Sequence, residues 1–201
     1  VVDHVDSDEK ARNIAKRRQV ETVAPEGLSR FLDANADRIR GVIHMGAISA
    51  TTESRLVRII KNNILLSRRL WHWCADQGIP YIYASSAATY GDGAQGFDDD
   101  GAIEALKALK PLNLYGWSKN QFDIWVAEQV AAGAPRPPGW AGLKFFNVFG
   151  PNEYHKGRMQ SVARQVYENA ARGEACTLFK SHNPDYPDGG QLRDFVWVGD
   201  C

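Results

Sequence analysis

The stretch GVIHMGA, residues 41–47, is a short run of mainly apolar residues that ends in a glycine and an alanine. A continuous apolar run, rather than an alternating one, is typical of a strand that a parallel sheet buries on both faces. IPYIYASS (79–86) and LKFFNVFG (143–150) are runs of the same kind. We therefore predict three strands of a parallel sheet, and the tail of another strand at residues 1–3.

Segments with the apolar spacing of helices lie between these runs. We predict helices over residues 26–38, 53–77, 113–132 and 159–172, with Gly78 as the C-cap of the second. Residues 87–111 are predicted to be a loop, and CTLF (176–179) and DFVWV (194–198) are further short apolar runs. Alternating strands and helices predict an α/β fold with a doubly wound parallel sheet.

The composition excludes several classes of function. Lys plus Arg and Asp plus Glu both number 24 in the 201 residues, so no net charge favours binding to nucleic acid or an anionic membrane. The apolar runs are far shorter than a membrane span. Three cysteines without metal-ligand spacing predict free thiols in a reducing compartment, hence a cytoplasmic location and no metal site.

A formal G-x-G-x-x-G is present at residues 91–96. It does not join a strand to a helix, and the carboxylates of residues 98–100 would repel a pyrophosphate, so we predict a loop. Residues 1–3 resemble instead the end of the strand that follows such a Gly-rich motif in dinucleotide-binding proteins. About 20 residues after the motif, an acidic side chain at that strand end binds the ribose of the dinucleotide. Either the chain begins one βα unit late, and would then bind NADP poorly and be inactive, or Asp3 is a solvated terminal residue.

Ligands of open α/β sheets bind beyond the carboxyl ends of the strands, and Ser85 and Ser86 end one of them. PLNLYGWSK (111–119) places Tyr115 and Lys119 four residues apart, on one face of a helix. The ammonium is expected to lower the phenol pKa from its reference of about 10. Tyr115 could then take a proton from a substrate hydroxyl as hydride leaves, while Ser86 holds the oxygen.

Ser86, Tyr115 and Lys119 resemble the catalytic triad of the extended short-chain dehydrogenase/reductase family, which is built on the Rossmann fold. Within that family the chain is similar to the epimerases that invert C6 of ADP-glycero-manno-heptose for lipopolysaccharide core synthesis. The dehydratases of the family resemble one another in an Asp–Glu pair where this chain has Ala87 and Ala88, which disfavours dehydration. The stretches that carry the resemblance are HMGAISATTE (44–53), YASSAATYGD (83–92), PLNLYGWSK (111–119), FFNVFGPNEYHKGRM (145–159) and LRDFVWVGD (192–200).

The resemblance implies an isomerase that uses tightly held NADP, with NAD as the other possibility. Hydride leaves C6 and returns to the opposite face, with Tyr115 as proton carrier on one face and Lys156 on the other. Lys156 could equally be a solvated loop residue or a phosphate anchor. The alternatives are another nucleotide-sugar epimerase, such as a UDP-hexose 4-epimerase, and a non-catalytic dinucleotide-binding protein.

The resemblance also implies which residues contact each ligand. Lys10 would neutralise the 2′-phosphate of NADP, and Arg193 would bind the pyrophosphate of the sugar nucleotide. The implied cofactor contacts are Asp3, His4, Lys10, Met45, Gly46, Ala47, Ile48, Ser49, Asn62, Lys119, Val148 and Lys156. The implied substrate contacts are Ser86, Asn147, Arg158, Gln165, Phe179, Lys180, Ser181, His182 and Arg193.

The same resemblance implies three parts of the chain. Residues 1–149 would be an incomplete dinucleotide-binding domain, residues 150–192 the start of a substrate-binding lobe, and residues 193–201 a truncated return strand. A homo-oligomer is expected, without nucleic-acid or membrane partners.

Overall fold

A computed structural model describes residues 1–18, 21–182 and 184–201, the side chain of Arg158 excepted. Contacts group the chain into two compact units. The larger unit comprises Val2 and residues 23–145, and the smaller unit comprises Val1, residues 3–22 and residues 146–201. These units are defined by contacts between residues and not by the ligands that each part would bind. The predicted division of the chain after residues 149 and 192 therefore stays a prediction.

The larger unit contains a three-stranded parallel sheet. Its strands are β1 (Val42–His44), β2 (Tyr81–Ser86) and β3 (Trp140–Phe145), in the order β1-β2-β3. His44 lies opposite Tyr83, and Ser86 lies opposite Phe145, so the carboxyl ends of all three strands share one edge. The predicted α/β fold with a parallel sheet is confirmed.

Helices connect these strands. Residues 25–27 form a 3₁₀ turn ahead of α2 (Leu28–Ala34), which ends four residues before the predicted bound. The predicted helix over residues 53–77 is present as α3 (Leu56–Ile59), a π-helical segment (Ile60–Leu65) and α4 (Leu66–Gln77). Gly78 ends α4 with a φ of 64°, as its C-cap role predicts.

The predicted loop over residues 87–111 is only partly correct. It contains a 3₁₀ turn at Ala87–Tyr90 and helix α5 at Ile103–Ala108, which is too short for apolar periodicity to show. Residues 91–96 form turns, and no helix follows them directly, as expected of a formal motif in a loop. Helix α6 (Leu114–Ala131) then begins after its N-cap, Asn113.

Strand β3 begins at Trp140, three residues before the start of the strand predicted over residues 143–150. Gly142 explains why a strand is possible there. A Cβ at this position would lie 2.4 Å from the Tyr83 hydroxyl on the neighbouring strand, so only glycine admits that ring.

Aromatic side chains dominate the core of the larger unit. Trp71 and Tyr81 are fully buried and meet edge to face, with ring centroids 6.2 Å apart. Phe122 of α6 meets Tyr83 of β2 at 4.8 Å in the same geometry. Each such side chain buries roughly 150–250 Å², so these contacts fix α4 and α6 against the sheet.

The smaller unit contains two parallel strands, β4 (Asn147–Phe149) and β5 (Phe195–Trp197). The strand predicted over residues 143–150 is therefore divided: its first part belongs to β3 and its last part to β4 of another sheet. CTLF (176–179) lies outside any strand. The predicted strand tail at residues 1–3 is reduced to one isolated parallel bridge, which joins Val2 to Val23 in the larger unit.

Among the described residues of this unit, two α-helices and two 3₁₀ segments (Tyr154–Met159 and Val198–Asp200) accompany the pair of strands. Helix α7 (Val162–Ala171) confirms most of the predicted helix 159–172, while α1 (Asp8–Ile14) was not predicted. Arg12 of α1 stacks on Tyr154 at 4.8 Å, and Asn13 Nδ2 lies 2.7 Å from His155 Nδ1, in the 3₁₀ segment Tyr154–Met159.

Within the described ranges, no helix has both the length and the apolar character needed to cross a bilayer.

Candidate active site

Ser86 ends β2, where a hydroxyl can face a ligand. Its Oγ accepts a 3.1 Å hydrogen bond from the Ala88 amide and thereby caps the 3₁₀ turn that follows the strand. Its carbonyl accepts a 2.8 Å bond from Thr89 Oγ1. Ser86 is thus held in place from both its side chain and its backbone.

Tyr115 is brought toward Ser86 by the glycine that follows it. Asn113 Oδ1 caps α6 by accepting a 2.8 Å hydrogen bond from the Gly116 amide. A Cβ at Gly116 would lie only 2.5 Å from the Ala88 carbonyl oxygen, so the absent side chain allows α6 to touch the turn after β2. The structure brings Ser86, Tyr115 and Lys119 together, and their catalytic roles stay a prediction.

Lys119 is only 4% exposed, and its ammonium is held by the backbone of β2. Nζ donates a 2.6 Å hydrogen bond to the Ala84 carbonyl and lies 6.0 Å from the centroid of the Tyr115 ring. Burial lowers the pKa of Lys119 to about 8, an effect that the charge of Asp123 opposes. The amine therefore titrates close to physiological pH.

The expectation that Lys119 lowers the pKa of Tyr115 is wrong for this state of the site. Burial raises the Tyr115 pKa, because the phenolate loses hydration, and a hydrogen-bonding interaction with Ser86 opposes that shift. The Lys119 ammonium is directed to the Ala84 carbonyl. The phenol is therefore neutral at physiological pH.

His44, at the end of β1, is a further buried group that borders Lys119. Ser67 Oγ donates its only hydrogen to the Asn63 carbonyl at 2.7 Å, so at 3.0 Å it accepts from His44 Nε2. This contact fixes the proton of the ring on Nε2. Burial, with the charge of Lys119, lowers the His44 pKa to about 4, so the ring is neutral at physiological pH.

Asn63 is a site residue that the sequence argument missed. Its Oδ1 accepts a 2.8 Å bond from the Ile48 amide, and its Nδ2 donates at 3.0 Å to the Ile48 carbonyl and to Ser118 Oγ. The neighbouring Asn62, which was predicted to contact the cofactor, donates instead to the Arg58 carbonyl of its own helix. Asn63 therefore holds the turn that follows β1, which contains the predicted cofactor residues 45–49.

The other predicted cofactor residues lie in the smaller unit. Lys10 Nζ donates a 2.7 Å bond to the His4 carbonyl and forms ion pairs with Asp6 and Asp3, at 3.1 and 3.6 Å. Val148 lies in β4 opposite Val196. The Lys10 ammonium is thus paired with carboxylates, which a 2′-phosphate would have to replace.

Lys156 also lies in the smaller unit, 3.6 Å from the carboxylate of Glu153. Glu153 is buried and accepts hydrogen bonds from the Gly150 amide and from both the amide and hydroxyl of Ser161. These bonds hold the carboxylate, so Lys156 has a fixed partner. No sequence motif pointed to Glu153.

The predicted substrate residues of the smaller unit are mostly exposed and bond to nearby backbone. Asn147 Nδ2 donates to the Asp194 carbonyl at 2.9 Å, which joins β4 to the segment before β5. Gln165 Nε2 donates to Gln160, and Arg193 Nη1 donates to the carbonyl of the preceding residue. The side chain of Arg158 lies outside the described residues. Phe179, Lys180, Ser181 and His182 lie in a segment without helix or strand.

The donor set of the larger unit fits a nicotinamide dinucleotide. A hydroxyl, a phenol and a buried amine converge at the carboxyl ends of parallel strands, where such ligands bind. Among the described residues, no group of three or more His, Cys, Asp or Glu side chains could hold a metal ion. The free thiols Cys74, Cys176 and Cys201 are dispersed, Cys74 in the core and the other two exposed.

The sequence of the chain is similar to those of known proteins. The ADP-L-glycero-D-manno-heptose-6-epimerase of Fusobacterium nucleatum is 46% identical over 202 residues, which cover 100% of this chain and 60% of that protein. The chain thus spans about 60% of the length of the curated relatives it matches.

Solved structures show the same fold. The Helicobacter pylori ADP-L-glycero-D-manno-heptose-6-epimerase superposes with a TM-score of 0.62 at 25% identity, over 90% of this chain and 53% of that one. MoeE5, in complex with UDP-glucuronic acid and NAD, superposes with a TM-score of 0.61 at 27% identity, over 90% of this chain and 56% of that one. The model of the NAD dependent epimerase/dehydratase family matches residues 1–201. The chain therefore belongs to the NAD dependent epimerase/dehydratase family.

Proposed function

We propose that the protein containing this chain is an isomerase that inverts C6 of ADP-glycero-manno-heptose by transient oxidation and re-reduction with a bound nicotinamide dinucleotide. The observation that carries the proposal is the cluster of Ser86, Tyr115 and Lys119 at the carboxyl end of β2. The 46% identity to a heptose epimerase supports the choice of sugar. The product would serve lipopolysaccharide core synthesis.

A bound nicotinamide dinucleotide would supply reversible hydride transfer at the sugar carbon. Ser86 would orient the reacting oxygen through its hydroxyl, and Tyr115 would exchange the proton of that oxygen. The raised pKa of Tyr115 keeps the phenol protonated, as a donor of a proton to a ketone oxygen must be. In the oxidative direction Tyr115 would have to act as the phenolate to accept the proton of the substrate hydroxyl, and the Lys119 ammonium, 6.0 Å from the centroid of its ring, would favour that form.

Inversion exposes the opposite face of the carbon, which ideally needs a second proton carrier. We propose Lys156 for this role, as a residue whose orientation Glu153 sets. A phosphate anchor is the other role open to Lys156. The residues proposed to bind the sugar nucleotide are Asn147, Arg158, Gln165, Phe179, Lys180, Ser181, His182 and Arg193, with Arg193 on the pyrophosphate.

The cofactor proposed is NADP, with NAD as the other possibility, because Lys10 lies beside Asp3 and can neutralise a 2′-phosphate. Asp3, His4, residues 45–49, Asn62 and Val148 are proposed to contact the dinucleotide. We further propose a homo-oligomer in the cytoplasm, with a dinucleotide-binding domain over residues 1–149. Residues 150–192 would begin the substrate lobe, and residues 193–201 would be a return strand.

A second candidate is an epimerase of another nucleotide sugar, such as a UDP-hexose 4-epimerase. It is favoured by the likeness to MoeE5, whose structure contains UDP-glucuronic acid and NAD. A dehydratase is disfavoured because Ala87 and Ala88 follow Ser86 and supply neither acid nor base.

A panel of nucleotide sugars separates the two candidates. The protein that contains this chain is incubated with ADP-heptose and UDP-hexoses of known configuration, and the products are identified by proton NMR. We expect inversion at C6 of the heptose without net consumption of reduced cofactor. Turnover of UDP-galactose, with ADP-heptose unchanged, would favour the second candidate.

A further inference from the structure

A buried carboxylate lies one helical turn beyond Lys119. Asp123 is 7% exposed, and its Oδ2 accepts a 2.6 Å hydrogen bond from Ser85 Oγ. Its Oδ1 accepts a 3.0 Å bond from the Tyr83 hydroxyl, and Lys144 Nζ lies 3.3 Å from Oδ2. One side chain of α6 is thereby tied to β2 and to β3.

The partners of Asp123 alternate along β2 with the groups that act in the proposed reaction. Ser85 directly precedes Ser86, and Tyr83 directly precedes Ala84, whose carbonyl holds the Lys119 ammonium. A shift of the carboxylate would therefore move the end of the strand relative to α6. The proposed chemistry assigns no role to Asp123 itself.

A buried carboxylate is costly unless donors surround it, and here three donors do. Burial raises the Asp123 pKa, while Lys144 and the hydroxyls of Ser85 and Tyr83 oppose that shift. Replacing this network by apolar residues would often stabilise a fold, so stability alone is a weak reason for it.

We propose that Asp123 is a positioning residue, which fixes the end of β2 against α6 and supplies the negative charge that faces the Lys119 ammonium. Its kinetic consequence rests on the proposed epimerase function. Its electrostatic consequence does not, because the charge of Lys119 can be measured without turnover.

The polar groups that act on the Lys119 ammonium come from three elements. His44 faces it from β1, and Asp123 and Tyr115 belong to its own helix, while β2 contributes the Ala84 carbonyl. Asp123 is the group whose charge favours the ammonium. Its neutralisation should therefore lower the pKa of Lys119 further.

The electrostatic test follows the ¹³Cε shift of Lys119 against pH in protein labelled at lysine, with Lys119→Met to assign the signal. Asp123→Asn keeps the size of the side chain and removes its charge, so we expect a lower titration midpoint. Glu128→Gln is the matched control, since Glu128 lies on the same helix and pairs at the surface with Lys107 at 2.8 Å. It should leave the midpoint unchanged.

The kinetic test compares the same variants on the sugar that the parent protein epimerises. We expect kcat of Asp123→Asn to fall about 10- to 100-fold, with KM within about 3-fold of the parent, because a displaced hydroxyl and amine affect the reacting geometry. Glu128→Gln should retain the parental kcat. If the parent turns over no nucleotide sugar, the proposed function fails, and the Lys119 titration still decides the electrostatic role.

A folded Asp123→Asn protein with an unchanged Lys119 midpoint, or with parental kcat, would overturn the proposal and leave Asp123 a structural residue. Should that variant not fold, Ser85→Ala replaces it, since it removes one donor and keeps the carboxylate charged. We then expect a lowered kcat with the Lys119 midpoint retained, and a parental kcat would overturn the positioning role.

Discussion

Lys119 donates a 2.6 Å hydrogen bond to the carbonyl of Ala84, two residues before the serine of the proposed active site. The amine is thus fixed to the strand that carries Ser86, rather than free to follow the Tyr115 hydroxyl. Because the amine is buried, its pKa falls to about 8. The distance between the Lys119 ammonium and the Tyr115 hydroxyl therefore depends on the relative positions of α6 and β2.

Tyr115→Phe tests the proton transfer assigned to the phenol. We expect turnover to fall by a factor of about 10² to 10⁴, because the ring remains and only the acid–base group is lost. Dinucleotide binding, measured by calorimetry, should be nearly unchanged. Tyr167→Phe, at an exposed tyrosine of α7, is the control and should be as active as the parent. Parental turnover of Tyr115→Phe would exclude the phenol as proton carrier.

His44→Gln tests the buried neutral histidine. Its pKa is about 4 in the folded protein against 6.5 for a solvated histidine, so the unfolded state binds more protons between these pH values. Stability should therefore fall as the pH falls from about 6.5 to about 4, by roughly 3 kcal/mol in total. Urea unfolding across this range should show a smaller loss for His44→Gln than for the parent.

The control for that measurement is His72→Gln, at an exposed histidine of α4. This variant should lose stability with pH as the parent does. An identical pH profile for His44→Gln and the parent would mean that other groups cause the acid sensitivity.

The adjacent residues Asn62 and Asn63 allow a matched comparison of two Asn→Ala variants. Asn63→Ala leaves the amide and carbonyl of Ile48 without their buried partner, and we expect it to cost about 2–4 kcal/mol of stability. It should also weaken dinucleotide binding, because the turn after β1 loses its anchor. Asn62→Ala removes one bond within its own helix and should cost less than about 1 kcal/mol. Denaturant unfolding and calorimetric titration with NADP measure both effects.

If Asn62→Ala weakens binding without loss of stability, the predicted cofactor contact of Asn62 is supported. Equal stability of the two variants would contradict the role given to Asn63.

Gly116→Ala tests the close approach of α6 to the turn after β2. The new Cβ would meet the Ala88 carbonyl at 2.5 Å, so the helix must move away. We expect a loss of about 1–3 kcal/mol in stability and a lower kcat, since Tyr115 would move from Ser86. Gly101→Ala, with no atom within 4 Å of its Cβ, is the control. A Gly116→Ala protein with full activity would show that the spacing is not critical.

The parts of the fold that could be predicted are those with a pattern in neighbouring residues of the sequence. The strands that contain His44 and Ser86 were visible as apolar runs, and Gly78 as a C-cap, because sequence neighbours determine both patterns. Helices α1 and α5 have seven and six residues, too few for periodicity to be read. The early start of β3 depends on Tyr83, a residue far away in sequence.

The residues of the candidate site likewise fall into those that a local pattern revealed and those that only the folded chain reveals. Tyr115 and Lys119 were found because four residues separate them on one helix. Asn63 bonds to Ser118, 55 residues away, and Asp123 bonds to Ser85, 38 residues away, so no short motif reveals either network. The direction of the Tyr115 pKa shift was mispredicted for a related reason, since burial is a property of the folded chain.

The π-helical segment Ile60–Leu65 limits where residues can be inserted into this chain or deleted from it. An α-helix advances about 100° per residue, so removing one residue there would rotate α4 by that angle relative to α3. Either Asn63 would then leave the turn after β1, or Trp71 would leave the core. Insertion or deletion of a single residue should accordingly be rejected between Leu56 and Gln77.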